Sequence, residues 1–214
     1  MQREPWRAEK ERLVKRYHEQ NKKAKKGGVV FAGSSLMEQF PLEKLAAELG
    51  SDHPLVYNRG VGGYTTRDLL PILDICVWEL APRKVFINIG TNDLSDINTT
   101  IEEMIGRYDE ILARIESHLP GVPIYLMAYY PVNYEAATEQ MKQNLKTRTN
   151  EKINRANAEV EKLAARRGLR YIDINAPLKD EQGRLKAEYT VEGMHIKEAG
   201  YRSIFPKLME YVLE

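Results

Sequence analysis

Five residues of the types that acyl transfer requires stand far apart in this 214-residue chain: Ser35, Gly63, Asn92, Glu192 and His195. A serine hydroxyl becomes a nucleophile only with a base within hydrogen-bond reach. His195 is such a base. Glu192 stands three residues before it, so one turn of chain can bring the carboxylate beside the imidazole and orient it. An oxyanion forms when a hydroxyl attacks a carbonyl, and it needs preorganised donors. Asn92 offers a side-chain N–H, and Gly63 a backbone N–H with no side chain in the way. Each residue alone also has a plainer role. Ser34, Ser35 and Asn92 all suit the N-cap of a following helix. The glycines of Arg59-Gly60-Val61-Gly62-Gly63 suit a tight turn with positive φ. A phosphate cradle there is disfavoured, because the loop has neither GxGxxG spacing nor the lysine of a GxxxxGK[ST] loop.

These residues can meet only if the elements between them deliver them to one edge. Val29-Val30-Phe31-Ala32 runs directly into Gly33-Ser34-Ser35, as a buried strand of a parallel sheet would. Further strands are predicted at Leu55–Asn58, Val85–Gly90, Val122–Ala128 and Leu169–Ile174. Helices are predicted over Glu4–Lys26, near Pro41 to Leu49, and over Thr66–Leu80, Thr100–His118, Ala137–Arg167 and Lys197–Leu213. Gly27-Gly28, Gly50 and Gly168 stop three of them. Five alternations of strand and helix call for a three-layer α/β/α sandwich around a five-stranded parallel sheet, flavodoxin-like in type. The loops carrying Ser35, Gly63, Asn92 and His195 then fall at its carboxyl edge, where ligands collect in open α/β folds.

Length and composition bound the reading. The chain suits a single domain over 1–214, with residues 1–27 an amphipathic N-terminal helix and 28–214 the core. That helix carries Trp6, Leu13, Val14 and Tyr17 as a narrow apolar stripe, with Pro5 suited to its first turn. Thirty-two basic against 31 acidic residues give a net charge of +1, so nucleic acid is not expected as a partner. Lys22-Lys23-Ala24-Lys25-Lys26 reads as a solvated helix end. The lone Cys76 sits among apolar residues and reads as an inert buried thiol. No apolar run approaches the ~20 residues of a membrane span, and the charged N-terminus lacks the apolar stretch of a signal peptide. A cytoplasmic location is expected. No metal is implied, since Glu192 and His195 lack companions at ligand spacing, and no cofactor is expected. The sequence leaves the oligomeric state, homo-oligomer included, open.

Four blocks in order give this constellation a family likeness. Gly33-Ser34-Ser35-Leu36, Asn58-Arg59-Gly60-Val61-Gly62-Gly63-Tyr64-Thr65-Thr66, Gly90-Thr91-Asn92-Asp93 and Glu192-Gly193-Met194-His195 resemble the blocks of the SGNH hydrolases, the GDSL-type lipases and esterases. The likeness is to the branch resembling platelet-activating-factor acetylhydrolase, and it runs from about Val29 to the C-terminus. It implies that Ser35 is the nucleophile and His195 the general base and acid. The oxyanion hole would be the backbone N–H groups of Ser35 and Gly63 with the Asn92 amide, while Asp93 would hold its loop. Two positions depart from the pattern. Ser34 replaces the usual Asp before the nucleophile, and Glu192 replaces the Asp of the last block. If Glu192 turns away, His195 must rely on a backbone carbonyl or on Asp173. The implied activity is a serine esterase acting on short acyl esters, acetyl groups on carbohydrate or a lysolipid among them. Tyr64, Tyr129, Tyr130, Asn133 and Tyr134 follow strand ends and are expected to line the substrate site. The competing reading is a non-catalytic flavodoxin-like domain that binds a small ligand.

Overall fold

The computed structural model describes residues 3–50 and 52–214, with side chains from Trp6 onward. In chain order the elements are α1 (Arg3–Lys23), β1 (Val29–Gly33), α2 (Ser35–Glu38), α3 (Leu42–Ala47), β2 (Val56–Gly60), α4 (Thr66–Leu69), α5 (Leu73–Cys76), β3 (Lys84–Asn88), α6 (Ile101–His118), β4 (Ile124–Met127), α7 (Glu139–Leu145), α8 (Asn150–Arg167), β5 (Arg170–Ile172) and α9 (Glu198–Leu213). The five strands are all parallel, in the order β2-β1-β3-β4-β5. The chain therefore winds outward from β1 in both directions, and a crevice opens at the carboxyl ends of β1 and β3.

Strand residues alternate between two apolar layers. Ala32, Val85, Ile87, Ile124 and Leu126 pack with α1, α4, α5, α6 and α8. Val29, Phe31, Phe86, Tyr125 and Met127 pack with α2, α3 and α9. The register sets Phe31 beside Phe86 and Phe86 beside Tyr125. Their rings stack at 4.7 and 4.6 Å, an aromatic ladder across the sheet centre.

Two long predicted helices are broken, each for a local reason. The segment from Thr66 to Leu80 becomes α4, a 3-10 turn at Leu70–Ile72 containing Pro71, α5 and a 3-10 turn at Trp78–Leu80. Proline cannot donate into a continuous ladder. The segment from Ala137 to Arg167 divides into α7 and α8. The Thr149 side chain accepts from the Lys152 N–H and starts α8 afresh, which leaves Thr147 and Arg148 in the break.

Candidate active site

Ser35 is the first residue of α2, two residues beyond the end of β1. Neither Ser34 nor Ser35 caps that helix with its side chain. As a first helical residue, Ser35 has no carbonyl one turn back for its own N–H. Its Oγ lies 3.1 Å from His195 Nε2, and His195 Nδ1 lies 2.7 Å from Glu192 Oε1. A carboxylate only accepts, so Nδ1 carries the ring hydrogen and Nε2 presents a lone pair to the Ser35 hydroxyl. Glu192 does not turn away. Its Oε1 also accepts the His195 backbone N–H at 3.1 Å, so the longer side chain folds back over its own turn. Asp173, the alternative orienter, instead accepts from Asn175 N–H and faces Lys179.

The histidine loop is tightly built. Thr190 Oγ1 donates to the His195 carbonyl and accepts from Gly193 N–H, and the Gly193 carbonyl accepts from Asn133 N–H at 2.7 Å. Gly193 has φ +99°, and a Cβ there would sit 2.6 Å from Ala137 Cβ and from the Asn133 carbonyl oxygen. A side chain would lift the loop off its support.

Gly63 and Asn92 reach the same edge from β2 and β3. Gly63 has φ +77°, a conformation that favours glycine, and a Cβ there would lie 2.2 Å from Trp6 Cζ2. The indole of α1 thus covers the Gly63 Cα. Asn92 Nδ2 donates to the Tyr64 carbonyl at 2.8 Å, which joins the second and third blocks directly. Asp93 joins them again, accepting from Thr66 N–H, Thr66 Oγ1 and Arg107 Nη2. Its carboxylate holds two loops together behind the site.

The expected lining residues fare differently. Tyr64 borders a cleft of about 710 Å³ with Trp6, Gly63, Arg67, Asp68 and Ile72. Tyr129 and Tyr130 are each only 1% exposed and do not line a site. Tyr129 packs from behind, its hydroxyl donating to the Ile89 carbonyl just before the third block. Tyr130 lies in the α9 layer. Asn133 is buried too, because its side chain is spent on the Leu185 carbonyl and the Ala136 N–H. Tyr134 is exposed but borders a separate pocket with Leu145 and Arg184. The strand-end rule located these residues at the correct edge but not the layer their side chains enter.

Two residues reach the site unannounced by the sequence. Trp6 is 44% exposed over Gly63, not sunk in the stripe assigned to it. Arg148, in the α7–α8 break, is 5% exposed and donates to Asn92 Oδ1 at 2.6 Å. The paired threonines around Arg148 were the available signal for that break.

The family model for GDSL-like lipases and acylhydrolases matches residues 7–203, a span that begins within α1. A solved structure from Streptococcus pneumonia, described as a candidate platelet activating factor, is similar at 31% identity and TM-score 0.84, over 96% of this chain and 93% of that one. A GDSL-like lipase from Bacteroides thetaiotaomicron VPI-5482 shares the fold at 20% identity and TM-score 0.76, over 94% and 97% of the two chains. An acetylxylan esterase from Geobacillus stearothermophilus does so at 16% identity and TM-score 0.67, over 88% and 95%. No curated protein matches the chain. A family match running through most of the sequence leaves one assignment: the chain belongs to the GDSL-like lipase/acylhydrolase family, and it is a carboxylic ester hydrolase.

Proposed function

We propose that the chain hydrolyses short-chain acyl esters, acetyl esters foremost, through an acyl-serine intermediate. In this reading His195 Nε2 takes the Ser35 proton as Oγ attacks the ester carbonyl. The oxyanion rests on the N–H groups of Ser35 and Gly63 and on Asn92 Nδ2. His195 returns the proton to the departing alcohol, then takes one from the water that releases the acid. Glu192 orients the ring and stabilises the imidazolium. The observation that carries this reading is the unbroken line Ser35 Oγ to His195 Nε2 and His195 Nδ1 to Glu192 Oε1, at 3.1 and 2.7 Å.

The substrate reading rests on the cleft beside Gly63. A half-exposed indole and Tyr64, with Arg67 and Asp68 close by, suit a sugar bearing the ester: a ring face to stack and hydroxyls to bond. The likeness in fold to an acetylxylan esterase is consistent with that class.

The test is incubation with a fluorophosphonate followed by intact mass. One adduct is expected, absent in Ser35→Ala, and Ser35→Ala should lose 4-nitrophenyl acetate hydrolysis. No adduct, or a Ser35→Ala variant that turns over at the native rate, would remove the covalent mechanism.

A further inference from the structure

Arg148 is a buried cation at this edge to which the proposed reaction gives no part. Its guanidinium lies in the α7–α8 break and makes three contacts: Nε to Ser95 Oγ at 2.9 Å, Nη1 to Met194 Sδ at 2.8 Å and Nη2 to Asn92 Oδ1 at 2.6 Å. None of these partners is a carboxylate. A buried cation is expensive without a counter-charge in contact. This one is placed one amide away from where negative charge develops.

An asparagine amide can be turned end for end, and in an oxyanion hole the wrong end is an acceptor facing an anion. Two contacts decide the end here. The Tyr64 carbonyl can only accept, and the Arg148 guanidinium can only donate. Both are satisfied only with Nδ2 toward Tyr64 and Oδ1 toward Arg148. One Nδ2 hydrogen is taken by Tyr64, leaving the second for substrate.

We propose that Arg148 is a positioning residue for ester hydrolysis, fixing the Asn92 amide with its N–H toward the developing oxyanion and polarising it through Oδ1; this rests on the oxyanion role proposed above for Asn92. Charge drawn toward Oδ1 makes the remaining Nδ2 hydrogen a stronger donor. The same guanidinium touches Met194, which precedes His195, so one side chain couples the oxyanion loop to the histidine loop.

The experiment is a double-mutant cycle in kcat and KM on 4-nitrophenyl acetate, with Asn92→Ala, Arg148→Met, Arg148→Lys and the two double variants. Asn92→Ala should lose about 10²–10³ in kcat. Arg148→Met should lose about 10–100-fold in kcat with KM within about twofold, as for a misaligned donor. Arg148→Lys keeps the charge but not the planar fork and should fall between. In the Asn92→Ala background each Arg148 substitution should cost less than about twofold more. If Arg148→Met does not fold by circular dichroism, the cycle is read on Arg148→Lys alone. Unchanged kcat in the Arg148 variants, or an equal loss with and without Asn92, overturns the proposal, since a merely structural role is additive. Full kcat in Asn92→Ala overturns the oxyanion reading and this proposal with it. A large Asn92→Ala loss with additive Arg148 effects overturns this proposal alone.

Discussion

At the scale of single residues, burial and partner chemistry decide which side chains can act. Arg148 shows the cost of a buried charge: desolvation pulls its guanidinium down to about 10, which still leaves it a cation at neutral pH. Glu192 shows how one extra methylene is accommodated, with a single oxygen serving both the imidazole and the backbone N–H of His195. Glu192→Gln keeps the shape and removes the charge that, in the proposed mechanism, stabilises the imidazolium. It should lose about 10²–10⁴ in kcat while circular dichroism stays native. A variant with more than half the native kcat would overturn the proposed role of Glu192 in orienting His195. Cys76 is the opposite case. Burial pushes its thiol up to about 12, so it holds almost no thiolate at neutral pH. Iodoacetamide should leave the folded protein unmodified and label it stoichiometrically in denaturant; rapid labelling of the native chain would contradict the burial.

At the scale of elements, α1 does more than dock a stripe. Trp6 covers Gly63, Lys10 pairs with Glu38 at 3.2 Å, and Tyr17 donates to the Gly60 carbonyl at 2.8 Å. Asn21 accepts from Arg59 through both Nε and Nη2. Glu38 in turn accepts from Gly62 N–H, so the glycine loop is held between α1 and α2. Lys10→Met leaves the Glu38 carboxylate short of its cation in a partly enclosed place. It should lower unfolding stability by about 1–2 kcal/mol, less than a fully buried pair because Glu38 keeps some solvent, and urea denaturation measures it. Gly63→Ala combines a φ of +77° with a Cβ driven onto the indole. On the oxyanion role proposed for Gly63 it should cut kcat at least tenfold, on the scale of a displaced donor. Trp6→Ala in the same chain should restore part of that loss by removing the clash while the backbone strain persists; no restoration would mean the indole does not confine the loop.

At the scale of the whole molecule, α1 shares the core with the sheet: Leu13, Val14 and Tyr17 are buried with Leu69, Leu73 and Cys76 in one cluster. Burying such side chains contributes about 1.5–3 kcal/mol each, and three of them rival the net stability of a domain. Deleting residues 3–23 should therefore abolish cooperative unfolding and activity together. A truncated chain that still melts cooperatively near the native Tm would show that α1 is an appendage. The sheet order explains why the site needs the entire chain. Starting at β1 and winding both ways brings the ends of β1, β2 and β3 to one crevice, while α9 and the loop before it return from the far side of the sequence to supply His195.

The sequence by itself determined what periodicity and local chemistry encode. Short apolar-rich runs marked five strands, and the first and last of the four polar blocks carry the side chains that meet at 3.1 and 2.7 Å. Those features are local, so neighbouring residues suffice to read them. What only the tertiary structure decided depends on partners distant in sequence. Whether Tyr129 faces substrate or core depends on the space behind the third block, and it faces core. Whether Arg148 extends a helix or points into the site depends on a break set by Thr149 and on Asn92, 56 residues away. Trp6 meets Gly63 only because α1 crosses the glycine loop, a contact no spacing within either segment contains.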